Sequence, residues 1–179
     1  LDLDVLYINM GSRIYKININ NGKKIKDFGE NGSIEAASLV APMIYKNNLV
    51  VVTLSKSVFV FDSNSGKFIS SIPIYEKRNF LGGLPWGGVA IDNKKGIVFI
   101  NTGNPRPALY GVKRKGNNER SSSIVAVDLN EKKVKWDFQE TAHDLWDFDI
   151  PSPPILHELE INGKIYEVVI SVTKTGNTL

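Results

Sequence analysis

His143 to Pro154 read HDLWDFDIPSPP, which sets Asp144, Asp147 and Asp149 around Trp146 just before a proline stop. In an extended segment Asp147 and Asp149 point to one face, where paired acids repel unless a cation or a donor neutralises them. One of the pair could then work as a general base. The competing reading is a turn in which Asp144 and Asp147 bond to backbone and Trp146 lies in the core. His143 alone is more simply a packed or hydrogen-bonding histidine, and His157 has no acidic or glycine context to recommend it.

Three further segments carry chemically useful residues. LGGLPWGGVAID, Leu81–Asp92, places Gly82, Gly83, Gly87 and Gly88 about Trp86. Glycines on both sides of an indole clear side chains from its faces, so a flat ligand could lie there; otherwise the residue is a core tryptophan. FINTGNPRP turns sharply at Asn104, whose side-chain oxygen suits a hard cation such as calcium or else stabilises the turn. SVTKTGN puts Lys174 at a strand end, where an ammonium reaches a carbonyl or phosphate ligand or is simply solvated. No phosphate-binding glycine loop, zinc site or Ser-His-Asp arrangement is present.

The elements that must position these residues repeat. YKININNGKKIKDF around Gly22, VFVFDSNSGKFISSI around Gly66 and IVAVDLNEKKVKWDF around Lys132 each read as alternating strand, polar turn, alternating strand. Asn18, Asp62 and Asp128 hold the same place, where a short polar side chain bonds nearby turn amides. Gly22 and Gly66 supply the positive φ that such turns favour, and Lys132 breaks that pattern. Further strands are expected at Val5–Asn9, Leu49–Thr53, Gly96–Asn101 and Glu167–Val172, the last opening a fourth unit. No amphipathic helix of three turns is evident. Four-stranded units repeating every ~40–45 residues indicate an all-β chain built as a β-propeller of antiparallel blades. About three to four blades are expected in one partial propeller domain over 1–179, with a long loop at 104–121. An ordinary antiparallel sandwich explains the strands but not the recurring turn.

Hydrophobic content of 42% and charged content of 23% describe a globular chain with no stretch of the ~20 apolar residues that span a bilayer. The net charge of +3 comes from scattered basic residues. The densest groups, YEKR, KVKW and GVKRKG, are short and lack interleaved aromatics, which favours a solvated surface over a nucleic-acid footprint. With no cysteine, disulfides and thiolate metal sites are excluded. The N-terminus LDLDVLYINMGS does not read as a signal peptide and begins as if within a strand, so a longer parent chain is expected.

In their order, WGG, TGNPRPALYG, the KGNNERSSS loop, WDFQETAHDLWDFDIPSPP and TKTGN resemble the quinoprotein dehydrogenases, nearest the glucose, quinate and polyol branch; DFGENGSIE at Asp27–Glu35 also looks like that branch. The resemblance implies an eight-bladed propeller carrying pyrroloquinoline quinone (PQQ) and a divalent metal, usually calcium. It implies that Trp86 stacks on the PQQ rings, Asn104 ligates the metal, Asp147 is the catalytic base and Lys174 hydrogen-bonds PQQ oxygens beside the reactive carbonyl. Asp149, two residues after the base, is a further candidate metal neighbour. A carboxylate there marks lanthanide-using relatives, but the glucose-like branch also commonly carries it, so calcium is expected. The implied reaction has Asp147 taking a proton from a sugar, polyol or alcohol hydroxyl as hydride passes to PQQ, with the metal and Lys174 stabilising the developing charge. A quinone or cytochrome would accept the electrons. The implied location is the periplasm, with membrane attachment through segments absent here. Ala142 stands where the family often has a second histidine, and neither the upstream acidic metal ligand nor the C-terminal blades are present. This chain alone is therefore expected to be inactive. The alternative is a non-catalytic PQQ-like propeller acting as a scaffold or assembly module, which would have no reason to keep Trp86, Asn104, Asp147 and Lys174 together.

Overall fold

The computed structural model describes residues 4–75, 82–112 and 114–179. Most of the YEKR group, residue 81 of the tryptophan segment and residue 113 of GVKRKG lie outside the described residues. Among the described residues thirteen strands and no helix are formed. The strands are β1 (Val5–Met10), β2 (Arg13–Asn18), β3 (Ser33–Glu35), β4 (Met43–Tyr45), β5 (Asn48–Val52), β6 (Ser57–Asp62), β7 (Phe68–Pro73), β8 (Pro85–Asp92), β9 (Ile97–Thr102), β10 (Ser123–Asp128), β11 (Lys133–Gln139), β12 (Ile155–Ile161) and β13 (Lys164–Ile170). They fall into two compact units, residues 1–72 and 73–179.

In the first unit β1-β2-β3 form a three-stranded antiparallel sheet, and β4-β5-β6-β7 form a four-stranded sheet in chain order. Short polar turns join consecutive strands, so each pairs with its neighbour in sequence. Ile14, Phe28, Ile34, Leu49, Val51 and Phe61 make the core, each worth about 1.5–3 kcal/mol on full burial. Lys16 is buried among them because its ammonium donates to the Ser63 carbonyl at 3.0 Å and lies over the Tyr7 and Phe28 rings. The strand expected after Gly22 does not form. Lys24 makes only an isolated bridge to Ile17, because the chain turns at Ile25–Phe28, where the Phe28 amide donates to the Ile25 carbonyl, and Phe28 is buried.

The recurring turn has one construction. Asn18 accepts from the Asn20 amide, Asp62 from the amides of Asn64 and Ser65, and Asp128 from those of Asn130 and Glu131. Asp92 does the same for Lys94 and Lys95, a fourth copy beyond the three expected. The fifth residue of each turn is at positive φ: Gly22, Gly66, Gly96 and Lys132. Lys132 therefore keeps the geometry, at φ 55°, without being glycine.

The Ser65 backbone amide, then its hydroxyl, hold the Asp62 carboxyl below its usual range against the opposing effect of burial. The Glu131 amide does the same for Asp128, again against burial, helped by the Asn130 amide and Lys135. A carboxyl with a lowered folded pKa contributes stability above the ordinary carboxylate range of about 4, and loses it as pH falls through the folded value. Asp62→Asn and Asp128→Asn should therefore lower Tm at neutral pH, with the deficit against wild type shrinking in acid; melting curves across the acid range check this.

In the second unit β8-β9-β10-β11 form a four-stranded antiparallel sheet and β12-β13 a hairpin. β10 is buried along its whole length, reading SIVAVD without a solvent face. β12 was not foreseen, although Asn162-Gly163 between Ile161 and Lys164 is a two-residue hairpin signal, with both residues at positive φ. β9 and β10 are joined by residues 103–122, which carry no strand among the described residues. The solvated surface expected of GVKRKG is corrected at Arg114, which is buried. Its guanidinium donates to the Asn118 side chain at 2.7 Å and to the Asp144 carbonyl, contacts that replace water and pin the loop.

Candidate functional site

The start of β8, the end of β9 and the chain following β11 and β13 meet at one end of the second unit's strands. β8 is irregular there: Pro85 pairs with Thr102 and Val89 with Ile100, so Trp86, Gly87 and Gly88 oppose Asn101 alone. This bulge bends the strand and re-aims the indole. Trp86 is 43% exposed, which removes the core reading. Its Nε1 donates to Asp149 Oδ2 at 2.8 Å.

The glycines around Trp86 have a different use from the one expected. A Cβ on Gly87 would meet the Ile150 carbonyl, one on Gly88 would meet Pro153, and one on Gly82 would meet the Tyr75 ring. They seat neighbouring chain rather than clear the indole faces. The indole edge is instead admitted by Gly103, where a Cβ would sit 2.5 Å from Trp86 Nε1. Gly103 was missed; its position directly before Asn104, at the end of β9, was the available signal.

Asp147 and Asp149 do not share a face by extension, because Asp147 has φ 66° and the chain turns there. They converge through Lys174, whose ammonium is 2.9 Å from Asp147 Oδ2 and 2.6 Å from Asp149 Oδ1. Burial pulls the Lys174 pKa down, but the pairing with Asp149 and Asp147 outweighs it and raises it overall. The same ammonium lies 5.6 Å from the Trp86 ring centre. Asn104 donates through Nδ2 to Asp147 Oδ1, and its Oδ1 accepts from Ser122 Oγ at 3.3 Å. All five candidates, Trp86, Asn104, Asp147, Asp149 and Lys174, thus form one constellation joined by hydrogen bonds and ion pairs.

The rest of HDLWDFDIPSPP supports it. Asp144 is buried, accepts from the Trp146 amide at 2.8 Å and shares the single Ser122 hydroxyl proton with Asn104, Oγ lying 3.2 Å from its Oδ2, which makes it the turn acid. Trp146 is 72% exposed, so the reading that placed it in the core is corrected: the turn closed by Asp144 swings it outward. His143 lies with Nδ1 2.8 Å from the Gly116 carbonyl and ties the long loop. His157 lines a separate groove of about 1050 Å³ with Phe99, Trp136 and Leu156, which none of the five candidates lines.

The five-residue arrangement offers an exposed indole face, a carboxylate within reach of a ligand, a paired ammonium and an amide. Its oxygens are hard donors, suited to a cation such as calcium. They are few: among the described residues no group of three or more His, Cys, Asp or Glu side chains is placed to hold a metal ion. Asp149 Oδ2 accepts from Trp86, while its buried Oδ1 has the Lys174 ammonium beside it as an ion pair but no hydrogen bond.

The family described as PQQ glucose/ethanol/alcohol dehydrogenase, β-propeller domain, matches residues 75–179, more than half of the sequence. The chain belongs to this family. Its fold is a β-propeller of antiparallel four-stranded blades, of which β4–β7 and β8–β11 are complete. Among its quinoprotein relatives, the quinoprotein glucose dehydrogenase A of Acinetobacter calcoaceticus is 29% identical over 92% of this chain and 25% of its own length. The quinohemoprotein alcohol dehydrogenase of Comamonas testosteroni is 35% identical over 53% of this chain and 14% of its own. A europium-containing methanol dehydrogenase superposes with a TM-score of 0.81 at 19% identity, over 99% of this chain and 38% of its own, a likeness of fold. The chain spans about a quarter of the length of the curated relatives it matches.

Proposed function

We propose that the chain is part of a PQQ-dependent dehydrogenase that oxidises a hydroxyl of a sugar, polyol or alcohol and passes electrons to a quinone or cytochrome. The observation that carries this reading is the exposed Trp86 face with Asp147, Asn104 and Lys174 hydrogen-bonded beside it. Glucose and alcohol dehydrogenases among the relatives support the substrate class. We place the reaction in the periplasm, as the resemblance implies; among the described residues no helix is long and apolar enough to cross a membrane.

When bound, PQQ supplies the two-electron acceptor and a calcium ion the Lewis acid. Trp86 offers its open face as the floor for the flat ring system. Asp147, more exposed than Asp149, takes the proton of the substrate hydroxyl on a carboxylate oxygen. Lys174 donates to the oxygen on which negative charge grows, and keeps its proton because both aspartates favour its charged form. Asn104 and Asp147 are this chain's contribution to the metal, and the remaining ligands come from outside these residues. Asp149 contributes charge from behind, with its oxygens holding the indole and the ammonium in place.

The test is the full-length parent reconstituted with PQQ and calcium, followed by dye-linked oxidation of aldoses, polyols and simple alcohols. Removing the metal with a chelator should abolish turnover, and calcium should restore it. A requirement for a lanthanide would overturn the calcium assignment. Absence of PQQ uptake would overturn the enzyme reading and leave a scaffold propeller.

A further inference from the structure

Lys174 stands in a short turn, TKTGN, whose other members point to a carboxylate outside the constellation. Glu140 follows β11 directly. Its Oε1 accepts from Thr175 Oγ1 at 2.5 Å and from Asn177 Nδ2 at 3.2 Å, while Thr173 Oγ1, 3.4 Å away, spends its one proton on Thr175 Oγ1. Thr141 Oγ1 donates to its Oε2, and the Thr173 and Thr175 hydroxyls lie 2.6 Å apart. Two donors from residues 173–177 therefore meet one carboxylate directly, and the Thr173 hydroxyl joins them through Thr175. The turn is closed internally by the Thr173 amide donating to the Asn177 carbonyl and the Gly176 amide to the Thr173 carbonyl. Glu140 is itself fixed, its amide donating to the Ser122 carbonyl at 3.0 Å, on the residue whose hydroxyl bonds Asn104 and Asp144.

We propose that Glu140 is a positioning residue: it anchors the 173–177 turn so that the Lys174 ammonium is held at Asp147, Asp149 and the edge of the quinone site. The inference rests on the reading of Lys174 as a cofactor-facing donor. A lysine side chain has four rotatable bonds, and its two aspartate partners fix only the far end. The near end needs a rigid backbone, and a turn of five small or polar residues has little apolar packing to provide one. A carboxylate supplies it, because it only accepts and so satisfies several hydroxyl and amide donors at once. The Lys174 amide adds only a weak contact to the Asp149 carbonyl, at 3.4 Å.

Glu140→Ala in the full-length protein should weaken PQQ about tenfold, read by quenching of tryptophan fluorescence, and lower kcat with the substrate KM within about twofold. In a Lys174→Ala background the same substitution should change PQQ affinity less than about twofold, since its effect passes through the ammonium. Hydrogen exchange of the cofactor-free protein should show faster exchange at amides 174–177 and unchanged protection in β9 and β10. Thr175→Val, which removes the shortest of these bonds, should act in the same direction if Glu140→Ala does not fold. Equal loss of PQQ affinity in both backgrounds, or unchanged exchange at 174–177, would overturn the proposal. Wild-type protein that takes up no PQQ would instead sink the functional reading, and the exchange measurement would still decide whether Glu140 anchors the turn.

Discussion

Asp147→Asn in the full-length enzyme should lower kcat by about 10²–10⁴-fold while PQQ affinity changes little. The substitution keeps the size and planarity of the side chain and removes its ability to take a proton. The introduced amide can still turn its carbonyl oxygen to Lys174, whose ammonium lies 2.9 Å from Asp147 Oδ2, so one contact that orders the site survives. Asn104, which donates to the other oxygen, must turn its amide, a small rearrangement because its Oδ1 is held only by Ser122 at 3.3 Å. Neither change touches Trp86, whose Nε1 is held by Asp149. With calcium saturating, so that the loss of one charged ligand does not empty the metal site, cofactor binding and proton transfer should therefore separate: a PQQ titration near the wild-type curve beside steady-state turnover near background. Turnover within a few-fold of wild type would remove Asp147 from the role of base. Asp149→Asn should give the opposite pattern, because it weakens the hold on both the indole and the ammonium: loss of PQQ affinity exceeding the loss of kcat at saturating cofactor.

Gly83→Ala should be the most damaging single methyl in the second unit. Its Cβ would fall far inside van der Waals contact of the Gly103 carbonyl oxygen, a backbone atom that has no side-chain rotamer through which to yield. That oxygen already accepts the Ser122 amide at 2.9 Å, and the Gly103 amide donates to the Leu84 carbonyl at 2.8 Å. Relief must come from moving the end of β9 against its neighbours. Overpacking of this kind costs about 1–3 kcal/mol, at times more, measurable as a lowered urea midpoint with unchanged slope. The damage should also reach the site, because Gly103 is the residue against which the Trp86 edge rests. Gly83→Ala should therefore lose PQQ binding at temperatures where it is still folded. Gly116→Ala is the control: a Cβ there has open space, and only its φ of 74° opposes the change. A Gly83→Ala protein as stable as Gly116→Ala would show that the two loops are not packed as described.

The constellation was legible as residues before it was legible as a place. Trp86, Asn104, Asp147, Asp149 and Lys174 were singled out because acids, an indole, an amide and a lysine beside turns are chemically conspicuous, and their order along the chain resembles the quinoproteins. The glycines around Trp86 were expected to free its faces, whereas they seat Tyr75, Ile150 and Pro153. Asp147 and Asp149 were expected to align by extension, whereas a left-handed residue turns the chain and Lys174 gathers them. Arg114 read as surface because charge alone predicts solvent, while its acceptors are a side chain and a carbonyl that only the folded loop presents.

What the amino-acid order by itself determined is local: the turns at Asn18, Asp62 and Asp128, the alternating strands beside them, and hence the repeated antiparallel sheet. The physical reason is range. An Asx side chain bonds amides two or three residues on, and a meander pairs neighbours, so both are written within a short window of sequence. What only the tertiary structure decided is which groups meet. Trp86 bonds Asp149 across 63 positions, Asn104 bonds Asp147 across 43, and Glu140 holds Thr175 across 35. Those distances close through strand register and a bulge in β8, and neither leaves a trace in residue spacing.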